Sequence, residues 1–184
     1  MNIIALSDRL YLREFVQDDF QAVCRVLQDK DVMYAYEHAF TDEEAHAWLD
    51  NQVRRYREDG CGLWAVILKE TETMIGQCGL TRQQLNGKKV LEVGYLFEKE
   101  YWHRGYATEA SRTCISYAFD MMEAKRVYAI IRENNLPSQK VALRNGMRLC
   151  GKTVKHYYGI DMPHLVYRIT EKENFDMDIA ELGF

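Results

Sequence analysis

The stretch EKEYWHRGYATEA, residues 98–110, places Gly105, Ala107 and Ala110 where an apolar run, VLEVGYLF (90–97), gives way to a helical pattern. Glycine tolerates positive φ and lets another group approach the backbone closely. Ala107 keeps the backbone reachable, Thr108 adds a hydroxyl donor, and His103 and Arg104 flank the glycine. A turn of this kind at a helix start aims backbone N–H groups outward. There the positive end of the helix dipole favours an anion such as a pyrophosphate. Two other phosphate motifs are excluded, because no Gly-Lys-Ser/Thr follows the glycine and no G-x-G-x-x-G is present. A tight strand-to-helix turn that binds nothing is the competing reading of these residues alone.

Upstream of the turn, LWAVILK (63–69) and MIGQCGLT (74–81) read as two strands around the polar segment ETET. Asn86-Gly87 is a hairpin signal that leads into VLEVGYLF, so three consecutive strands form an antiparallel meander. Nearer the N-terminus, RLYLREF (9–15) alternates with the period of a strand. Asp18 and Asp19 sit where a helix start favours negative charge, and Phe20, Val23 and Leu27 follow at helical spacing. TDEE (41–44) is a capping box, with Thr41 as cap and Glu44 three residues on. Its helix runs through Trp48 to Tyr56 and stops before Gly60.

Downstream, Ala107, Ala110, Cys114, Ala118 and Met121 mark one helical stripe. RVYAIIR (126–132) is a strand reached through that helix, hence parallel to VLEVGYLF by a right-handed crossover. Pro137 suits the first turn of a short helix and Gly146 its C-terminal cap. CGKTVKHYY (150–158) and LVYRIT (165–170), joined across GIDMPH, close the chain as a strand pair. The expected order is strand, two helices, three strands, helix, strand, helix, two strands: a mixed α/β sheet in one domain over 1–184.

The 184 residues, 47% of them hydrophobic and only 2 of them proline, suffice for one core without a low-complexity linker. A formal net charge of -4 argues against a nucleic-acid partner, whose affinity rests on neutralised phosphates. The 5 cysteines are widely spaced, with no C-x-x-C and no zinc pattern, so they are expected to be reduced, buried and metal-free. No basic segment followed by a long apolar one opens the chain, and no apolar run reaches the roughly 18 residues of a membrane span. A cytoplasmic protein with no membrane partner is the expectation.

Trp102-His103-Arg104-Gly105-Tyr106-Ala107 resembles the Q/R-x-x-G-x-G/A loop of the GNAT N-acetyltransferases. Gly105 and Ala107 match, and Trp102 stands where the family has Gln or Arg. RLYLREFVQDD, LEVGYLF and NLPSQKVALRNGM are similar to three segments of the ribosomal-protein N-terminal-acetyltransferase-like branch, in family order. These are its opening strand and helix, its fourth strand, and its N-x-x-S-x-x-V-x-x-x-x-G-M/F segment. The likeness covers about residues 7–170. It implies a single-domain GNAT-like mixed sheet with antiparallel N-terminal strands, a parallel splayed central pair and flanking helices. It also implies acetyl-CoA as co-substrate and no metal. The pyrophosphate would rest on the amides of His103, Arg104, Gly105, Tyr106, Ala107 and Thr108. The pantetheine arm would pair like an extra strand with Tyr95, Leu96 and Phe97, and hydrogen-bond Asn135. Family members often dimerise through late strands, which makes a homodimer an expectation here.

Acetyl transfer to an amine requires a proton acceptor for the ammonium and a proton donor for the leaving thiolate. Glu92 is the sharpest candidate acceptor, because it interrupts an apolar strand and partial burial would raise its pKa. The resemblance also puts an acidic residue there near the amine. A solvent-facing or merely substrate-binding Glu92 is the alternative. Many GNAT enzymes donate the proton from a tyrosine whose position here is Ala142. The branch resembles instead a design with a serine, here Ser138, whose alternative role is to satisfy helix-start donors. His156, an alternative base, borders the expected acceptor pocket with Tyr157 and Tyr158, and Tyr34, Tyr36, Glu37 and His38 fall where the family builds its acceptor wall. Two functions follow. The first is an acetyl-CoA-dependent N-acetyltransferase acting on a primary amine, a protein N-terminus or a small amine, by direct attack on the thioester. The second is a non-catalytic acyl-CoA-binding sensor, which the missing tyrosine favours.

Overall fold

In the computed structural model, which describes residues 2–36, 38–157, 159–174 and 176, eight strands form one mixed sheet. The strands are β1 (Ile3–Leu6), β2 (Leu10–Arg13), β3 (Leu63–Leu68), β4 (Thr73–Leu85), β5 (Lys88–Phe97), β6 (Arg126–Arg132), β7 (Arg148–Tyr157) and β8 (Ile160–Thr170). Their spatial order is β1-β2-β3-β4-β5-β6-β8-β7. The flanking helices are α1 (Phe20–Leu27), α2 (Asp42–Glu58), α3 (Tyr106–Asp120) and α4 (Leu136–Arg144). The ladders of β1 with β2, β2 with β3, β3 with β4, β6 with β8 and β7 with β8 are antiparallel, and β5 pairs with β6 in parallel, as expected. The chain resolves into two compact units, Met1–Thr81 with Gly94–Cys114, and Arg82–Val93 with the segment from Ile115 on.

In the first unit the alternation of β2 and β3 turns Tyr11, Ala65 and Ile67 toward Val23, Val26 and Leu27 of α1 and Leu49 of α2. Trp48 meets Phe15 edge-on at 5.3 Å, a geometry that aromatic quadrupoles favour. The capping box forms as expected: Thr41 Oγ1 accepts from the Glu44 N–H at 3.3 Å, and Glu44 Oε2 accepts from the Thr41 N–H at 2.8 Å. Arg13 and Asp19 form a two-pronged ion pair at 2.6 and 2.7 Å beside the start of α1. The Tyr56 hydroxyl fastens α2 by accepting from the Phe15 N–H and donating to the Leu63 carbonyl, and its burial pushes its pKa well up. Gly76 in β4 is required by close approach, since a Cβ there would lie 2.4 Å from the Leu96 carbonyl oxygen of β5.

In the second unit the β4–β5 hairpin turns through Asn86 (φ 49°) and Gly87 (φ 76°), the left-handed pair of a type I′ turn. β8 lies between β6 and β7, and Val127, Ala129, Val166 and Ile169 are buried there. Asn135 caps α4, Pro137 occupies its first turn, and Gly146 (φ 71°) follows its end, as the sequence indicates.

Four expectations are corrected. An additional strand, β1, lies at the sheet edge beside β2, and its four apolar residues, of which Ile3 and Leu6 are exposed, show no alternation for the sequence reading to use. Most of GIDMPH is strand, because β8 starts at Ile160 and Pro163 pairs with Val154. Met121 lies past the end of α3 and is 70% exposed, so the stripe ends at Ala118. Cys61, Cys78 and Cys114 are buried, but Cys150 is the extra residue of a β7 bulge and faces solvent.

Candidate functional site

The anion-binding turn lies in the first unit. β5 ends at Phe97, the Glu98 N–H donates to the Ile75 carbonyl at 3.0 Å, and a single 3-10 turn (Lys99–Tyr101) follows. Trp102, the departure from the family loop, donates its indole N–H to the Phe97 carbonyl at 2.9 Å, which ties the turn to the end of the strand. The chain then passes through two left-handed residues, His103 (φ 61°) and Gly105 (φ 82°), and enters α3 at Tyr106. A positive φ at a non-glycine residue such as His103 is uncommon and marks a constrained backbone. His103, Arg104 and Gly105 are exposed, Ala107 and Thr108 half-buried, and Tyr106 buried. The amides of Tyr106, Ala107 and Thr108 have no intrahelical partner by the geometry of a helix start. The Glu109 N–H closes the first turn on the Gly105 carbonyl at 3.0 Å.

A charged network braces this turn, and sequence reasoning missed it. Arg9, between β1 and β2, donates from Nη1 to the Arg104 carbonyl at 2.9 Å and from Nε to Glu109 Oε2 at 2.7 Å. Its Nη2 lies 2.6 Å from the same carboxylate, and its guanidinium carbon stands 4.4 Å from the centre of the Tyr106 ring. Glu109 Oε1 accepts from the Ser7 hydroxyl and the Arg9 N–H, each at 2.8 Å. Burial pushes the Glu109 carboxyl up, but these donors together hold it below the usual carboxylate range. Arg9 and Glu109 are separated by 100 residues, so nothing local in the sequence announces the pair.

Glu92, Asn135 and Ser138 lie in the second unit. Among the described residues, β5 and β6 pair at one position, Glu92↔Tyr128. Two residues along β6 from Tyr128, the Ile130 N–H donates to Glu92 Oε1 at 3.2 Å, so a carboxylate serves where a strand carbonyl would ordinarily serve. Glu92 is half-buried in consequence. Beyond it, β5 carries Tyr95 and Leu96 half-buried and Phe97 buried. Asn135 Oδ1 accepts from the Ser138 N–H at 3.2 Å. Capping of α4 therefore falls to Asn135, and Ser138 sits in the first helical turn as a capped rather than a capping residue. Ala142 is buried in the same helix.

The outlying candidates are less enclosed. His156 is exposed at the β7–β8 hairpin end and meets Asp161 at 2.8 Å. Tyr34 and Tyr36 stand 44% and 50% exposed on a 3-10 turn (Met33–Tyr36) anchored by buried Met33. His38 Nε2 lies 3.0 Å from Glu44. Glu37, Tyr158 and the side chain of Tyr157 lie outside the described residues. Among the described residues, no cluster of three or more His, Cys, Asp or Glu has metal-binding geometry, and no helix is long and apolar enough to cross a membrane.

Residues 9–148 match the model of the acetyltransferase (GNAT) domain. The uncharacterized N-acetyltransferase YnaD of Bacillus subtilis is 34% identical over 143 residues, 77% of this chain and 81% of its own. A GNAT-family acetyltransferase from Bacillus anthracis has a similar structure, with a TM-score of 0.78 at 28% identity over 92% of this chain and 99% of that one. RimL, a ribosomal L7/L12 alpha-N-protein acetyltransferase solved with coenzyme A, shares the fold at 17% identity, with a TM-score of 0.77 over 92% and 98% of the two chains.

Proposed function

Because the chain belongs to the GNAT family of acetyltransferases, we propose that it moves the acetyl group of acetyl-CoA to a primary amine, working as a single catalytic domain. One observation carries the coenzyme reading: the turn through His103 and Gly105 bends twice through left-handed backbone before the orphan amides of α3. Such a cradle suits a diphosphate, with backbone donors on one side and the positive helix end behind them. RimL, which shares the fold, is a structure with coenzyme A bound. The acceptor is an alkylamine or a protein N-terminus, and the chain's net charge of -4 suits a cationic substrate.

Acetyl-CoA supplies an activated acyl carbon and a thiolate leaving group. In this reading the amides of 103–108 hold its diphosphate, the backbone of Tyr95, Leu96 and Phe97 lies along its pantetheine arm, and Asn135 hydrogen-bonds that arm. Glu92 takes the proton that the amine must lose before or as it attacks. Ser138 gives a proton to the departing sulfur. Its place in the first turn of α4 supports that role, since the helix N-terminus stabilises the negative charge that develops on its oxygen until water returns the proton.

The test is thiol release from acetyl-CoA across a panel of polyamines, amino sugars and peptides starting with Ala or Ser, with the acetylated product identified by mass. Turnover on one amine class is the expected result. Bound acetyl-CoA without thiol release on any amine would refute the reading.

A further inference from the structure

The network around Arg9 does more than hold the turn's shape. All of its members belong to the unit of Met1–Thr81 with Gly94–Cys114. Among the described residues no peptide bond is cis, so the Arg104–Gly105 peptide is planar and trans. With the Arg104 carbonyl turned to Arg9 Nη1, the Gly105 N–H of the same plane points the opposite way. Glu109 is the second consequence. It stands in the first turn of α3, where its charge would compete with a bound anion for the positive helix end. The Arg9 guanidinium, the Arg9 N–H and the Ser7 hydroxyl all converge on that carboxylate.

We infer that Arg9 is a positioning residue for the co-substrate: it sets the direction of the Gly105 amide and cancels the charge of Glu109, so the turn offers donors rather than a carboxylate to a diphosphate. The inference rests on the turn being the diphosphate site. A side chain on the β1–β2 connection thereby governs coenzyme affinity from a position that need not touch the coenzyme.

Calorimetric titration of CoA, with steady-state KM and kcat, tests it in wild type, Arg9→Gln, Arg9→Lys, Glu109→Gln and the double variant Arg9→Gln/Glu109→Gln. In Arg9→Gln, Kd for CoA and KM for acetyl-CoA should rise about tenfold, the cost of about one uncompensated charge interaction, while kcat stays within about twofold. That loss should shrink at high salt, because the repulsion from Glu109 is screened. The double variant should recover the part of that loss due to the Glu109 charge, binding CoA at least about threefold tighter than Arg9→Gln, and Arg9→Lys should fall between wild type and Arg9→Gln, since an ammonium cannot reproduce the planar fork. Glu109→Gln alone should bind CoA at least as tightly as wild type. An unchanged Kd in Arg9→Gln, or a double variant as weak as Arg9→Gln, would overturn the inference. If Arg9→Gln fails to fold, a weakened Glu109→Gln overturns it independently. Failure of the wild type to bind CoA would instead remove the diphosphate reading itself.

Discussion

Replacing Glu92 with glutamine separates its chemistry from its place in the sheet. Its Oε1 accepts the Ile130 N–H at 3.2 Å, and a glutamine oxygen of the same reach can keep that bond. The loss in stability is the difference between a charged and a neutral acceptor, about 1 kcal/mol. Alanine, by contrast, leaves the amide of buried Ile130 without that acceptor and should cost about 1–3 kcal/mol. Activity should respond differently. A positioned base contributes roughly 10²–10⁴-fold, so Glu92→Gln should lose that much in kcat at neutral pH while its melting temperature stays near wild type. The rate of the variant should recover as pH rises, because more of the amine then arrives already deprotonated. The assay is thiol release across neutral to alkaline pH, with thermal melts of all three proteins. A Glu92→Gln enzyme with wild-type kcat and an unchanged pH profile would refute the assignment and leave Glu92 as a strand-edge acceptor only.

Other expectations concern the scaffold. Asp19→Ala would strand Arg13, whose side chain is only 13% exposed and which shares two bonds of 2.6 and 2.7 Å with Asp19. Chemical denaturation should show a loss of about 3 kcal/mol, and a loss under about 1 kcal/mol would show that water replaces the partner. Burial, then the nearby Lys155 and Arg132 charges, hold the pKa of His164 below its ordinary 6.5, despite its bond to the Met162 carbonyl. Between that lowered value and 6.5 the unfolded chain binds more protons, so stability is complete above 6.5 and falls as pH drops below it. Denaturation over a pH series should give a shallower fall for His164→Gln, and equal slopes would contradict the account. Gly105→Ala would force an L residue to φ 82°, at a cost of about 1–2 kcal/mol, and should weaken CoA binding about tenfold if the turn relaxes instead. An unchanged Kd and melting temperature would show that the left-handed turn is not required.

Signals confined to a few residues were legible in the sequence. The Thr41–Glu44 box, the Asn86-Gly87 hairpin and the Pro137–Gly146 bounds of α4 each depend on local backbone chemistry, and each appears where that chemistry puts it. The β5–β6 parallel pair followed from chain order and handedness. What stayed hidden depends on distant partners. Arg9 reads as the charged first residue of an alternating strand until Glu109 is brought beside it, and Trp102 reads as a mismatch until its indole meets Phe97. The bond from Ile130 to Glu92 likewise needs β6 in place, so sequence could mark Glu92 as anomalous but not say what it holds. Asn135 and Ser138 lie three residues apart, and only the structure shows that Asn135 is the cap.

The central claim is that the 103–108 turn holds the diphosphate of coenzyme A, and the direct measurement compares acetyl-CoA with acetyl-pantetheine by calorimetry. The two carry the same thioester and pantetheine arm, the first adding the diphosphate with its adenosine 3′-phosphate, and the Gly105→Val variant assigns the difference to the turn. Loss of a few charge-assisted bonds should weaken acetyl-pantetheine by at least about 100-fold, and Gly105→Val should remove most of that difference. Equal affinity for the two compounds, or a difference that survives Gly105→Val, would contradict the account.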